Sequence, residues 1–196
     1  MAIDPQQLRT CLGHFATGVT VVSCMAGDAP HGATVNAFTA VSLDPPLVLV
    51  ALSRTSKAAR LLTGRPFTVS VLSEEQRDLA LRFAGSPEAS GPSPSWLPAP
   101  SGLAPALSGS PATFSCSPWA TYDGGDHVLF VGRVERLAYH PEARPLLFYR
   151  GSFHPALTRG PHTGDMTVAV LRHFPRRRAG RNGVDHGPDG AHAQDH

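Results

Sequence analysis

Six runs of β-branched or alternating apolar residues, bounded by glycine, proline or aspartate, restrict this chain more than any other feature. They occupy residues 19–25, 33–43, 47–53, 67–72, 112–122 and 127–139, and such runs fit a pleated sheet better than a helix. The punctuation agrees: 19 glycines and 19 prolines make 38 of 196 residues, well above the ordinary ~12%. Residues 27–32, with Asp28, Pro30 and two glycines, suit a hairpin between the first two runs. Asp123-Gly124-Gly125-Asp126 turns between the last two, and Gly132 marks a bulge within the final one. Helical signals are short. Leu8, Leu12 and Phe15 recur at i, i+4 and i+7 behind Pro5, which predicts a helix over about residues 4–14 in a segment closed by Gly18. Thr55 or Ser56 caps a second helix that runs to Gly64, and Ser73 with Gln76 forms a capping box for a third through Leu79, Ala80 and Phe83. At least six strands, three short helices and no alternation of strand with long helix predict a mainly β chain, a closed or nearly closed antiparallel barrel.

Between the third helix and the next strand, residues 85–111 are rich in Ser, Pro and Gly and read as a long surface loop pinned by Trp96 and Leu97. A last apolar run, 166–171, adds a strand or short helix. Beyond Phe174 there is no aromatic residue, so one domain over residues 1–174 and a disordered tail over 175–196 are predicted. A formal charge of +2, with Arg176, Arg177, Arg178 and Arg181 in that tail, argues against nucleic acid or an acidic membrane as partner. No apolar stretch approaches the ~18–20 residues of a membrane span, and no basic segment followed by an apolar run opens the chain, so a soluble cytoplasmic protein is expected. Cys11, Cys24 and Cys116 lack zinc-ligand or disulfide-framework spacing, and the ten histidines are scattered; no metal site is predicted.

Dinucleotide-binding glycine fingerprints, phosphate-binding loops, H-E-x-x-H and G-x-S-x-G are all missing, which argues against a Rossmann enzyme or a serine hydrolase. Period two across residues 33–43 places Thr34, Asn36, Phe38 and Ala40 on one face and Ala33, Val35, Ala37 and Val41 on the other. Hydrogen-bonding side chains beside an aromatic suit a planar heterocycle; the same face serves equally as a solvated one. Ser53-Arg54-Thr55-Ser56-Lys57 runs from a strand into a helix start, bringing hydroxyls and the chain's only lysine together. That is either a phosphate site or an ordinary N-cap. His127 opens a strand after the Gly-Gly turn and is either a rim acid/base group or structural, and Arg150 before Gly151 either binds an anion or makes a surface pair.

The ordered set of segments 15–22, 31–50, 67–72, 83–85, 125–132 and 145–151 resembles one family, the flavin reductases of two-component monooxygenases, whose fold is the FMN-binding split barrel. The resemblance covers roughly residues 8 to 154. It implies a homodimer with a flavin in each barrel near the subunit interface. It assigns Thr34, Val35, Asn36, Ala37 and Phe38 to the isoalloxazine and ribityl, Ser42 and Leu43 to the same wall, and Ser53, Ser56, Lys57 and Ala58 to the phosphate. Phe83, His127, Tyr149 and Arg150 line the nicotinamide side on this reading, with His127 as the catalytic residue. The implied reaction is hydride transfer from NADH or NADPH to FMN or FAD, with reduced flavin passed to a partner monooxygenase. A split-barrel flavoenzyme that keeps its flavin and oxidises an organic substrate, and a non-catalytic flavin binder, are the alternatives. Ser70, where the family often has asparagine, and the 85–111 loop depart from the pattern.

Overall fold

The computed structural model describes residues 2–91 and 93–156. The run expected at 166–171 and the tail expected over 175–196 lie outside the described residues.

Helix α1 (Pro5–Leu12) starts where Asp4 accepts hydrogen bonds from the Gln6 and Gln7 amides at 3.3 and 3.1 Å, with proline in its first turn. It stops at Leu12, earlier than Gly18, because the chain turns at Gly13 and enters a two-residue strand, β1 (Thr17–Gly18). Thereafter follow β2 (Thr20–Ala26), β3 (Ala29–Val35), β4 (Phe38–Leu43), β5 (Pro46–Ser53), α2 (Lys57–Leu62) and β6 (Phe67–Val71). A 3-10 turn (Glu74–Gln76) leads into α3 (Arg77–Phe83), and the Gln76 side chain accepts from the Ser73 amide at 3.0 Å, as the capping box requires. The long loop carries β7 (Trp96–Leu97) and β8 (Ala106–Leu107), and the chain goes on through β9 (Ala112–Gly124), β10 (His127–Tyr139), β11 (Leu146–Tyr149) and β12 (Ser152–Pro155).

Seven strands form one sheet in the order β3-β2-β6-β9-β10-β5-β4, and every pairing is antiparallel. Its two outermost strands, β3 and β4, are consecutive in the chain and joined only by Asn36 and Ala37. The sheet therefore curls until both edges share one corner, which is how an antiparallel sheet of this size removes its edges. This geometry corrects the single strand expected over 33–43: the chain must leave β2's side of the sheet and join β5. At the corner the Ala37 carbonyl accepts from the Ala51 amide at 3.0 Å, and a register shift follows between Ala40 and Ser42. Strict alternation fails there, so Asn36 and Ala37 are both exposed.

Two apolar clusters flank β2, whose residues Thr20–Cys24 are all buried. Val22, Cys24, Val50, Leu62, Phe67, Val69 and Phe130 fill one, closed by α2; Val19, Val21, Leu72, Ala80, Leu107 and Leu146 fill the other, beneath α3. Gly132, at a register shift of β10, lies against the Phe67 ring; a Cβ there would stand 2.5 Å from Phe67 Cζ, so no larger residue fits without displacing the core. Buried hydroxyls hold the long loop down. Ser23 and Thr68 donate to the Pro105 and Ala104 carbonyls at 2.5 and 2.6 Å, while Ser70 accepts from the Leu107 amide at 3.1 Å. The serine that departs from the family pattern thus anchors this loop. Trp96 pins it as expected, edge-on to Phe83 at 5.7 Å. Leu97 does not, being 47% exposed; Ala104 and Leu107 are buried in its stead. β1, β11 and β12 form a separate small sheet. Among the described residues no helix is long and apolar enough to cross a membrane.

Candidate functional site

The corner that closes the sheet also opens a cleft. Asn36, Ala37, Phe38 and Thr39 form one wall, and Leu12, Phe15, Thr17 and Leu49 the other, around ≈440 Å³, within the ~300–1,000 Å³ common for small-molecule sites. Phe38 is steadied by Phe114, ring centroids 5.6 Å apart. A smaller cavity of ≈180 Å³ shares Asn36 and is bounded by Val19, Thr34, Ala84, Phe148 and Phe153. Of the residues expected at an isoalloxazine, Asn36, Ala37 and Phe38 meet in the cleft. Thr34 lies at the second cavity with its hydroxyl donated to the Ala80 carbonyl of α3 at 2.7 Å, and Val35 is buried in the core. Ser42 and Leu43 sit at the far end of β4, roughly 13–17 Å of strand beyond Phe38.

The proposed phosphate residues gather where β5 runs into α2. Ser53 and Thr55 hydroxyls lie 3.1 Å apart, and the Ser56 hydroxyl caps α2 by accepting from the Ala59 amide at 3.1 Å. Ala58 is 2% exposed, so its methyl belongs to the core and only its amide could meet a ligand. Arg54 is committed elsewhere: it donates to the Gly125 and His127 carbonyls and pairs with Asp123 at 3.2 Å, clamping the β9–β10 turn. Lys57 makes no hydrogen bond or ion pair among the described residues. Its charge is felt by His31, whose pKa is held below the ordinary histidine value, first by partial burial and then by Lys57. Because α2 has only six residues, its dipole is a lesser attraction for an anion than this cation and the hydroxyls beside it. Ser56→Ala is expected to cost ~1 kcal/mol of stability in flavin-free protein through the lost cap, whereas Ser53→Ala stays within about 0.5 kcal/mol; urea unfolding of the two checks this.

His127 is placed directly across from Ser53 in the β10–β5 register. Its Nδ1 lies 2.7 Å from Asp126 Oδ1, and that hydrogen bond, together with the charge of His127, holds the Asp126 carboxyl below its usual range. The rest of the expected nicotinamide group lies on other elements. Phe83 packs against Gly32 and Trp96, and Tyr149 and Arg150 belong to the β11–β12 turn, where Arg150 adopts φ 49°. The Arg150 amide donates to the Gly13 carbonyl at 3.1 Å, its guanidinium reaches His14 Nε2 at 3.1 Å and it lies 5.7 Å from the Tyr149 ring centroid. Among the described residues no hydrogen bond or ring contact joins Phe83, His127 and the Tyr149–Arg150 pair. Thr17, Phe148 and Phe153 line the cavities without having been singled out from sequence. The signal available was the apolar run 146–149 between Pro145 and Arg150-Gly151, a strand followed by a turn.

The description of the flavin reductase like domain matches residues 12–157. The chain belongs to this family. As a flavin reductase-like protein it is 42% identical over 153 residues to the flavin-dependent monooxygenase reductase subunit HsaB of Rhodococcus jostii, 78% of each chain being covered. It is 39% identical over 151 residues to the FMN reductase (NADH) SmoA of Agrobacterium fabrum, covering 76% of this chain and 85% of that one. Among solved structures, the NADH:FAD oxidoreductase SgcE6 of Streptomyces globisporus in complex with NAD and FAD fragments superposes with a TM-score of 0.72 at 35% identity, covering 84% of this chain and 99% of that one. The flavin reductase-like chain therefore has the antiparallel split-barrel fold that its sequence predicted.

Among its described residues no group of three or more His, Cys, Asp or Glu is arranged around a metal position. A flavin suits the donors that are present. The cleft offers aromatic and aliphatic walls for a flat ring, the Asn36 amide for a polar edge, and one solvent-excluded hydroxyl, Thr17 Oγ1, that has no hydrogen-bond partner among the described residues.

Proposed function

We propose that this chain is an NAD(P)H:flavin oxidoreductase that takes FMN or FAD, reduces it with NADH or NADPH, and supplies a partner flavin-dependent monooxygenase. The observation that carries this reading is the continuity of the Asn36–Phe38 corner with the Ser53–Lys57 segment. Phe38 faces Val50 in the β4–β5 register, and Ser53 lies three residues further on, roughly 10 Å along β5. A ring cleft is thereby followed by a cation and hydroxyls at about the span of a ribityl phosphate. When bound, the flavin supplies an acceptor for the hydride of nicotinamide C4.

The chain's own residues orient and hold. Phe38 provides flat contact, Asn36 provides a donor and an acceptor for a ring edge, Lys57 offsets phosphate charge, and His127 offers a ring nitrogen at the rim. No nucleophile from the protein is needed, since orientation accounts for most of such a step. A homodimer in the cytoplasm is part of the proposal. Leu12 and Phe15, on the apolar stripe of α1, are 63% and 77% exposed in the single chain, and Leu43, Leu137 and Tyr139 are exposed to 63%, 64% and 71%. Apolar exposure on that scale marks a surface that a second copy covers.

Purified protein mixed anaerobically with NADH or NADPH and free FMN or FAD is expected to consume nicotinamide absorbance in step with flavin bleaching. If flavin binds yet no pairing exceeds the uncatalysed rate, the reductase reading is wrong.

A further inference from the structure

We infer that Thr17 is a flavin-binding residue whose hydroxyl hydrogen-bonds a polar atom on the edge of the isoalloxazine ring. This deepens the proposed function and rests on it.

Three observations converge on Thr17. Its Oγ1 is excluded from solvent and has no partner among the described residues, a situation that native proteins avoid because the hydroxyl has given up water for nothing. The same residue lines the ≈440 Å³ cleft together with Asn36 and Phe38, the residues expected at a flavin ring. Asn36 likewise makes no side-chain hydrogen bond among the described residues, so a cleft with walls of Leu12, Phe15, Phe38 and Leu49 holds two unspent polar side chains.

The local backbone explains why nothing in the chain satisfies this hydroxyl. β1 is two residues long, and Thr17 is held in place by pairing with Phe148 of β11. That pairing fixes the residue at the cleft but brings no side-chain acceptor or donor to it. Valine has nearly the same shape and as good a strand propensity, and it would remove the unsatisfied group. A threonine here is therefore a cost to the empty fold that a ligand with a polar edge can reverse. A heteroaromatic ring bearing carbonyl oxygens and ring nitrogens provides such an edge; an aliphatic or purely aromatic ligand would leave the hydroxyl as it is.

The test compares Thr17→Val and Thr17→Ser with the wild type, using fluorescence titrations with FMN and riboflavin and melting of the flavin-free proteins. Thr17→Val is expected to weaken both flavins equally, by about three- to tenfold, the worth of one neutral hydrogen bond. Thr17→Ser is expected to restore most of the affinity. The flavin-free Tm of Thr17→Val is expected to stay the same or rise by ~2–8 °C, because an unpaired buried hydroxyl has gone.

Wild-type affinity in Thr17→Val, or a lowered flavin-free Tm, makes the hydroxyl structural and overturns the inference. Weakening of FMN alone places the contact at the phosphate and overturns it as well. If the wild type itself binds neither flavin, the proposed function falls and this inference with it, whereas normal wild-type binding with an indifferent Thr17→Val removes the inference alone.

Discussion

Lys57→Ala is expected to weaken FMN binding by about ten- to a hundredfold while riboflavin, which lacks the phosphate, is affected far less. A charge-assisted hydrogen bond is worth roughly 1.5–3 kcal/mol, which sets that range. The neighbouring cations cannot substitute. Arg54 is tied to the Gly125 and His127 carbonyls and to Asp123, and Arg60 donates to the Thr55 carbonyl at 3.0 Å. Lys57 alone at this corner keeps its charge unspent among the described residues. His31 reports on it without any turnover. Its pKa is held down by partial burial and then by the Lys57 charge, so an anion that neutralises Lys57 lifts it. In an NMR titration the His31 pKa is expected to rise on binding FMN and to move less on binding riboflavin. Equal weakening of the two flavins by Lys57→Ala, with no difference at His31, would place Lys57 outside the phosphate site.

The strands that surround this site were legible because each is a short run with clear punctuation. Residues 127–139 fold as the strand expected, and the Gly132 irregularity falls where a glycine within an apolar run suggested it. Residues 33–43 were not read correctly, since Asn36 and Ala37 carry no glycine or proline to announce a corner. What breaks the strand is a long-range demand, that β3 pair with β2 and β4 with β5 at opposite edges of the sheet. Local alternation has no access to that demand. β1 is too short to leave a pattern, and the Leu146–Tyr149 run has the continuous apolarity of a buried segment rather than a period of two. These are the elements that deliver Thr17, Phe148 and Phe153 to the cavities, so their part of the site stayed hidden. Asn36, Ala37, Phe38 and Lys57 were reachable because a hydrogen-bonding and aromatic set, or a lone lysine at a capped helix, is visible without knowing the fold.

His127→Ala is expected to slow flavin reduction by about ten- to a hundredfold at saturating flavin and nicotinamide, with a much smaller change in flavin affinity. The pairing with Asp126 explains why a rim histidine can do this. A carboxylate only accepts, and Asp126 stays ionised because its pKa is lowered by the hydrogen bond from His127 and by that residue's charge. His127 Nδ1 therefore carries the hydrogen, and in the neutral ring Nε2 is left as an acceptor. An acceptor at the mouth of β10 can take a hydrogen bond from a nicotinamide carboxamide and set the angle at which that ring meets the flavin. A contact of this kind acts on the geometry of the transition state more than on ground-state binding, and its loss costs about 1–3 kcal/mol. Ser53 lies opposite His127, so the competing role, contact with the flavin phosphate, makes a different prediction: affinity for FMN falls while the rate at saturation holds. A third role, support of the Asp123–Asp126 turn, lowers Tm and spares both. Stopped-flow reduction of the saturated variant, with melting and FMN titration of the same preparation, separates the three, and only a slowed rate with near-normal affinity assigns His127 to the hydride step.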